Sequence, residues 1–181
     1  MTASRTHYGP VAQALHWATA ILVLVAFLYG PGGSEERVYS VARDADRQLH
    51  ETLGMAVFVL TLLRVLWRVA DTRPEPAQVS RWMGLAARVL QGVLYLLLFA
   101  VPLTAIAGAW LEGHPVTLLA GLQFAPPVAE AHDTGALLAG IHGWLGDAIL
   151  WLAGLHALAA LGHHFILRDG VLRSMLPGRT R

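Results

Sequence analysis

The chain has 181 residues, of which 55% are apolar and 14% charged, and its formal net charge is +1. This length suits one domain, and a mean hydropathy of +0.52 is typical of membrane proteins. The absence of cysteine excludes disulfides, iron–sulfur clusters and covalent haem attachment. Neither a glycine-rich phosphate loop nor a nucleic-acid-binding motif is present, so we expect no nucleotide domain and no nucleic-acid partner.

Four apolar stretches predict four membrane-spanning helices, since each is long enough to cross the hydrocarbon of a bilayer. The first follows a short basic segment but is too long for a signal-peptide core and ends in a Tyr29-Gly30-Pro31 turn, so we expect it to be retained. The predicted helices lie at about 11–29, 42–70, 85–109 and 136–167. The predicted fold class is all-α, an integral membrane four-helix bundle in one domain over residues 1–181.

The distribution of arginine predicts the orientation of the bundle, because cytoplasmic loops carry an excess of basic residues. One side receives ten arginines against three acidic residues, and the other receives three arginines against nine acidic residues. The ten arginines are Arg5, Arg64, Arg68, Arg73, Arg81, Arg88, Arg168, Arg173, Arg179 and Arg181. We therefore expect a multi-pass protein of the bacterial inner membrane with both termini in the cytoplasm.

Two histidines of the last helix organise the prediction of a site. His142 and His156 are fourteen residues apart, which places them on nearly one helix face and roughly 21 Å apart in depth. With the expected topology, His50 lies at the depth of His142, and His16 lies at the depth of His156. Each histidine either bonds a hydroxyl or carbonyl of a neighbouring helix, or serves as an axial ligand to one of two haems.

A small residue follows each candidate ligand by four positions, where a macrocycle edge would need space. These residues are Ala20, Gly54, Gly146 and Ala160. Membrane helices are rich in small residues in any case, so the pattern supports haem without deciding the matter.

Several charged or titratable residues share the predicted histidine faces. Arg64 is expected to pair with a propionate of the inner haem, and Arg68 to do the same or to reach lipid phosphate. If the second helix extends back far enough, Arg43 and Arg47 lie over the outer haem. His163 follows His156 by seven residues on the same helix face. We expect it either to contact a quinone headgroup or to lie at the lipid interface. We expect His7, His114 and His132 to be exposed and Asp147 to bond another helix or water.

Four stretches of the sequence resemble the bacterial cytochrome b561 family, and together they span nearly the whole chain. They are ALHW around His16, LHETLG around His50, YLLLFAVPLTAIAG in the third helix, and the closing run from GIHGWLGDAILW to RDGVLRSMLP. The resemblance implies four transmembrane helices and two b-type haems, one between His16 and His156 and one between His50 and His142. The resemblance is strongest to members of the family that oxidise superoxide and reduce ubiquinone. These members also have an arginine at the position of Arg43.

The function expected from these observations is dihaem transmembrane electron transfer by an oxidoreductase that takes electrons from periplasmic superoxide and reduces ubiquinone. An alternative keeps the haems in a cytochrome b shuttle or subunit that exchanges electrons between the quinone pool and a periplasmic redox partner. The acidic outer side would suit a basic partner of that kind. A haem-free metal transporter or scaffold is a third hypothesis, although its histidines should then line a path rather than form two levels.

Overall fold

The computed structural model describes residues 7–71 and 79–176, and most of them are helical. Within these ranges, four helical segments are long and apolar enough to cross a membrane. The long helices are α1 (Pro10–Leu28), α3 (Asp44–Ala70), α4 (Arg81–Leu111) and α5 (His132–Gly162). The shorter elements are α2 (Glu35–Val38), a 3₁₀ turn at Val41–Arg43, strands β1 (Val116–Thr117) and β2 (Gln123–Phe124), a 3₁₀ turn at Leu119–Gly121, a π-helical turn at His163–Leu167, and α6 (Val171–Ser174). The predicted four-helix membrane architecture is confirmed.

The outer surfaces of the long helices are apolar, as expected for contact with lipid rather than water. On α5, Trp144 and Trp151 are 80% and 79% exposed, and Leu158 on the same face is 67% exposed. Side chains that face inward form a small core of Val57, Leu97, Leu98 and Ile149. The bundle is therefore apolar outside as well as inside, which is the pattern of a membrane protein.

Two predicted helix boundaries are wrong by about one turn. Helix α4 begins at Arg81 rather than at 85, and α5 begins at His132 rather than at 136. Both early turns are closed by backbone hydrogen bonds, from Gly84 N to the carbonyl of Ser80 and from Gly135 N to that of Ala131. These bonds do not require apolar side chains, so each helix extends beyond the apolar run from which it was predicted.

A small β-hairpin departs from the predicted all-α class. Val116 pairs with Phe124 and Thr117 with Gln123 in antiparallel register. The turn between the strands uses positive φ at Ala120 (66°) and Gly121 (78°). The hairpin is anchored to α3, because Thr117 N donates to Glu51 Oε2 at 2.5 Å and Leu119 N donates to Thr52 Oγ1 at 2.9 Å. We call the end of the bundle that carries α2 and this hairpin the hairpin end.

The opposite end of the bundle, called the tail end here, is closed by the C-terminal segment. Gln13 Nε2 donates to the carbonyl of Leu176 at 3.0 Å, and Trp17 Nε1 donates to that of Met175 at 2.9 Å. Tyr8 N donates to the carbonyl of Ser174. These bonds hold α6 against the start of α1. Arg5, Arg73, Arg179 and Arg181, which contributed to the predicted orientation, lie outside the described residues.

Close contact between α4 and α5 needs glycine at the hairpin end. A Cβ added to Gly108 would lie 3.2 Å from Ala139 N, and one added to Gly135 would lie 2.7 Å from Glu112 Cγ and 3.0 Å from Glu112 N. The 2.7 Å distance at Gly135 is too short for a side chain, whereas a Cβ at Gly108 would require α5 to move by a few tenths of an ångström. Helix α3 packs mainly against α1, and the two helix pairs leave space between them near the hairpin end.

Candidate haem-binding site

His50 of α3 and His142 of α5 face each other near the hairpin end. Their ring centroids are 5.9 Å apart, with the ring planes at 82°. His50 Nδ1 lies 2.7 Å from the carbonyl oxygen of Ala26, and His142 Nδ1 lies 2.9 Å from that of Val101. A carbonyl can only accept, so both Nδ1 atoms carry the hydrogen and both Nε2 atoms keep their lone pair. This is the tautomer of a histidine that ligates a metal through Nε2.

His16 of α1 and His156 of α5 form a second pair nearer the tail end. Their ring centroids are 6.3 Å apart, with the ring planes at 74°. Here the hydrogen bonding differs, because Arg64 Nη2 lies 2.7 Å from His16 Nδ1. A guanidinium can only donate, so this Nδ1 accepts, and the hydrogen of a neutral His16 ring is on Nε2.

A cavity of about 740 Å³ contains the His50–His142 pair and extends to the hairpin end. Its wall includes Gly54, Gly143 and Gly146, and a Cβ added to any of these glycines would meet no atom within 4 Å. These glycines therefore leave open space beside the two imidazoles. Toward the hairpin end, the polar lining includes Glu35, Tyr39, Arg47, Glu51 and Glu112.

The ring centres of both histidine pairs lie within about 0.4 Å of the spacing that a haem iron between two imidazoles would require. Two metal–nitrogen bonds of about 2.0–2.1 Å, with about 1.1 Å from each nitrogen to its ring centre, place the ring centres about 6.3 Å apart. At the hairpin end the tautomers also fit, and the buried Nε atom of Arg47 has no hydrogen-bond partner in the described part of the chain. A haem propionate is the kind of acceptor that this donor lacks. The His16–His156 pair fits in spacing, but Nε2 coordination by a neutral His16 requires Arg64 to bond another acceptor.

The two arginines expected over the outer haem are both engaged by carboxylates. Arg43 Nη1 lies 3.1 Å from Asp46 Oδ2, and its side chain is 41% exposed. Arg47 forms ion pairs with Asp44 and, at 2.9 Å, with Glu51, and its side chain is only 11% exposed. Only Arg47 of these two arginines lines the cavity. Much of the positive charge expected at the outer haem is thus offset by neighbouring carboxylates.

Arg64 and Arg68 both lie beside the aromatic ring of Tyr95. The distances from their guanidinium carbons to the ring centroid are 5.3 Å and 5.4 Å. The three residues, with Asp71, line a small pocket of about 40 Å³ at the tail end. The structure therefore brings Arg64 to the His16–His156 pair and places Arg68 one turn further toward the tail end.

His163 lies at the start of the π-helical turn that follows α5. Its Nδ1 is 2.5 Å from Asp169 Oδ2, and the side chain is 18% exposed. Burial opposes the ionisation of Asp169, but the hydrogen bonds from His163 and from Val171 N outweigh it and hold the pKa of Asp169 below its ordinary value. The next residue, His164, has a buried Nδ1 without a hydrogen-bond partner among residues 7–71 and 79–176. Imidazoles therefore concentrate at an irregular helix end, a frequent location of functional groups.

A polar cluster at the hairpin end was not predicted from the sequence. His114 was expected to be exposed, but it is half-buried and stacks on Tyr39, with 3.5 Å between ring centroids and 19° between planes. Its Nε2 lies 2.7 Å from Glu35 Oε1. Burial, followed by the nearby Glu51 and Glu112 carboxylates, raises the pKa of Tyr39 above its ordinary value. The cluster joins α2 to the segment after α4, and no local sequence pattern signals such a long-range contact.

Two acidic residues lie in unexpected surroundings. Glu112, the first residue after α4, is 8% exposed, and burial followed by the Glu35 charge raises its pKa. In the sequence, only the position of Glu112 immediately after an apolar span indicates that it is buried. Asp147, expected to bond another helix or water, instead lines the cavity that contains His50 and His142.

Comparison with known proteins agrees with the resemblance noted in the sequence. The family described as prokaryotic cytochrome b561 matches residues 7–178. A protein named cytochrome b561 homolog 2 from Escherichia coli strain K12 is 31% identical over 170 residues, which are 93% of this chain and 90% of that protein.

Two further relatives cover nearly the whole chain. Cytochrome b562 of Cereibacter sphaeroides is 33% identical over 178 residues, which are 95% of this chain and 96% of that protein. A probable superoxide oxidase, CybB, of Yersinia pestis is 30% identical over 174 residues, which are 94% of this chain and 96% of that protein. With four apolar helices and a family match along nearly its whole length, this chain belongs to the prokaryotic cytochrome b561 family, whose members bind b-type haem and transfer electrons.

Proposed function

We propose that this protein transfers electrons across a membrane through two haems b, one held by His50 with His142 and the other by His16 with His156. The observation that carries the proposal is the opposition of four imidazoles in two pairs, with ring centroids 5.9 Å and 6.3 Å apart. When bound, each haem supplies a one-electron carrier whose iron has no open coordination position. Electron transfer at the edge of the haem is then favoured over oxygen chemistry at the metal.

The residues around the His50–His142 pair orient the ligands and make room for the cofactor. The carbonyls of Ala26 and Val101 accept from the two Nδ1 atoms and leave both Nε2 atoms available as ligands. Gly54 leaves open space one turn beyond His50. At the other pair, Arg64 is close enough to His16 to influence both the orientation of its ring and the charge around it.

The hairpin end is proposed to face the periplasm and the tail end the cytoplasm. The outer side of the predicted topology carries three arginines and nine acidic residues, and the structure describes all of them. They give the hairpin end a formal charge of 3 − 9 = −6. The tail end carries the positive excess, through Arg64, Arg68, Arg81, Arg88, Arg168 and Arg173. This distribution supports a topology with both termini in the cytoplasm, for a single domain of residues 1–181 in the inner membrane.

Superoxide is proposed as the electron donor and ubiquinone as the acceptor. The probable superoxide oxidase of Yersinia pestis, which is 30% identical over nearly the full length, supports the donor. Arg43 and Arg47 are the residues proposed to guide this anion at the hairpin end. His163 is proposed to bond the quinone headgroup at the tail end, with Asp169 holding its Nδ1 hydrogen, and Arg68 to bind a haem propionate or lipid phosphate.

A second candidate keeps the haems but replaces superoxide with a basic periplasmic redox protein. The observation that favours it is the ion pairing of Arg43 with Asp46 and of Arg47 with Asp44 and Glu51. An anion approaching a surface of formal charge −6 is repelled, whereas a basic protein is attracted. In this case the protein is a shuttle or subunit that connects the partner with the quinone pool.

Stopped-flow reduction of the haems by superoxide, with and without quinone, separates these candidates. For a superoxide oxidase we expect rapid reduction that added salt leaves unchanged or slightly increases, because salt screens the distant acidic residues. Arg43→Gln should lower this rate, and Arg37→Gln serves as the control because Arg37 is an exposed arginine of the same end that is not proposed to guide superoxide. Absence of reduction by superoxide, with both haems bound, contradicts the superoxide proposal and leaves the protein partner.

A further inference from the structure

Glu112 is a largely buried acidic residue that the proposed electron transfer does not yet use. Its side chain lines the same cavity as His50 and His142 and is 8% exposed. Its Cγ occupies the space beside Gly135, where any Cβ would lie 2.7 Å away. Within the described parts of the chain, the carboxylate has neither a hydrogen-bond nor a salt-bridge partner.

The polar groups around Glu112 are bonded to one another rather than to its carboxylate. The titratable and charged groups that line its cavity or lie near it are Glu35, Tyr39, Arg47, Glu51, His114, His132 and Asp147. Among them, Arg47 is engaged by Asp44 and Glu51, and His114 is engaged by Glu35. His132 is 62% exposed and pairs with Glu130 at 3.4 Å. His114 and His132 therefore offset part of the charge of Glu112 from a distance, but neither of them bonds its carboxylate.

The surroundings of Glu112 shift its titration toward the neutral form. Burial disfavours the ionised form, and the nearby Glu35 carboxylate disfavours it further, so the pKa of Glu112 is raised. Additional negative charge in the same cavity would raise this pKa again, because charges interact strongly where water is scarce. An electron arriving at the His50–His142 site adds such a charge.

We propose that Glu112 takes up a proton from water at the hairpin end when the His50–His142 site gains an electron, and returns it when the electron leaves. One negative charge enters from the donor and one proton enters from the solvent, so the net charge of the cavity is unchanged. The inference rests on the proposed function, since it requires a haem at this histidine pair. It assigns Glu112 a role as the proton-accepting group coupled to electron entry.

The test is the pH dependence of the two haem potentials in the full-length protein with both haems bound. In the wild type, the potential of the His50–His142 haem should fall with rising pH, by at most about 59 mV per pH unit for one proton per electron. Glu112→Gln mimics the protonated side chain, so its potential should join the wild-type curve at acid pH and lie above it, without slope, at alkaline pH. Glu36→Gln is the matched control, because Glu36 is an exposed acid of the same end that does not line the cavity.

Retention of the wild-type slope in Glu112→Gln, with both haems bound, overturns the inference. Should this variant fail to bind both haems, proton uptake during reduction of the wild-type protein in weakly buffered solution replaces it as the test. Uptake that accompanies reduction of the His50–His142 haem supports the inference, and its absence overturns it. A protein with only one haem, or none, would instead contradict the proposed function, whereas two haems with pH-independent potentials would contradict only the role of Glu112.

Discussion

Arg64 Nη2 lies 2.7 Å from His16 Nδ1, whereas the corresponding nitrogens of His50 and His142 bond backbone carbonyls. One site therefore has a cationic donor beside a proposed ligand, and the other has two neutral acceptors. A neighbouring positive charge favours an added electron, and a carbonyl acceptor makes the imidazole a stronger ligand. The two haems should accordingly differ in potential and in their response to mutation.

Replacement of Arg64 should affect only the haem of the His16–His156 pair. Arg64→Leu removes a positive charge next to His16, so we expect this haem to change potential or to be lost. The His50–His142 haem should keep its potential. Redox titration followed in the visible spectrum measures both. Arg88→Leu is the control, because Arg88 is an exposed arginine of the tail end that is not proposed to bind either haem. A shift confined to the His50–His142 haem would contradict the placement of Arg64.

Filling the cavity at Gly54 should prevent haem binding at the hairpin end. The open space beside this residue is the proposed position of the macrocycle, so the leucine side chain of Gly54→Leu would compete with it. We expect one haem per chain in this variant by pyridine haemochrome assay. Gly92→Leu is the matched control, since Gly92 also has open space around it but does not line the cavity. Two haems in Gly54→Leu would show that the cavity is not the site.

Glu51 should stabilise the hairpin end more than its exposed neighbours do. It accepts from Thr117 N at 2.5 Å and from Arg47 at 2.9 Å, and its side chain is 15% exposed. Glu51→Ala leaves buried donors without this acceptor, so we expect a loss of about 1–3 kcal/mol in the free energy of unfolding. Asp46→Ala breaks only the exposed pair with Arg43 and should cost at most about 1 kcal/mol. Denaturation in detergent measures both, and equal effects would contradict the burial of Glu51.

The Asp169–His163 contact should weaken in acid. The pKa of Asp169 in the folded protein lies below its ordinary value. The contribution of Asp169 to stability is therefore complete above a pH of about 3.9 and is lost as the pH falls through the lowered pKa. Asp169→Asn should therefore have lower thermal stability than the wild type at neutral pH, and the difference should shrink toward pH 3. A difference that does not change with pH would mean that the charge of Asp169 has no part in this contact.

The sequence was sufficient to predict the spans and the facing of the histidines, because a membrane helix is regular over its length. Fourteen residues on such a helix nearly complete four turns, so the common face of His142 and His156 follows from their numbers alone. The ion pairs of Arg43 and Arg47 could also be predicted from the sequence. Asp46 follows Arg43 by three positions and Glu51 follows Arg47 by four, which places each pair on one helix face.

Contacts between distant segments could not be predicted in the same way. The hairpin is anchored by bonds to α3 that join residues 66 and 67 positions apart, and His114 reaches Glu35 across 79 positions. Neither contact has a periodic signal, because each depends on how two loops meet above the cavity. The burial of Glu112 is a consequence of the same arrangement, and so is the role proposed for it.

The most direct test of the central claim is the haem content of the purified protein and of two single variants. Pyridine haemochrome assay should give two haems b per wild-type chain, and His142→Ala and His156→Ala should each retain one. Low-spin electron paramagnetic resonance signals should show that the two variants lose different haems, because His142 and His156 belong to different pairs. One haem per wild-type chain, or loss of the same haem in both variants, would contradict the assignment of two separate sites.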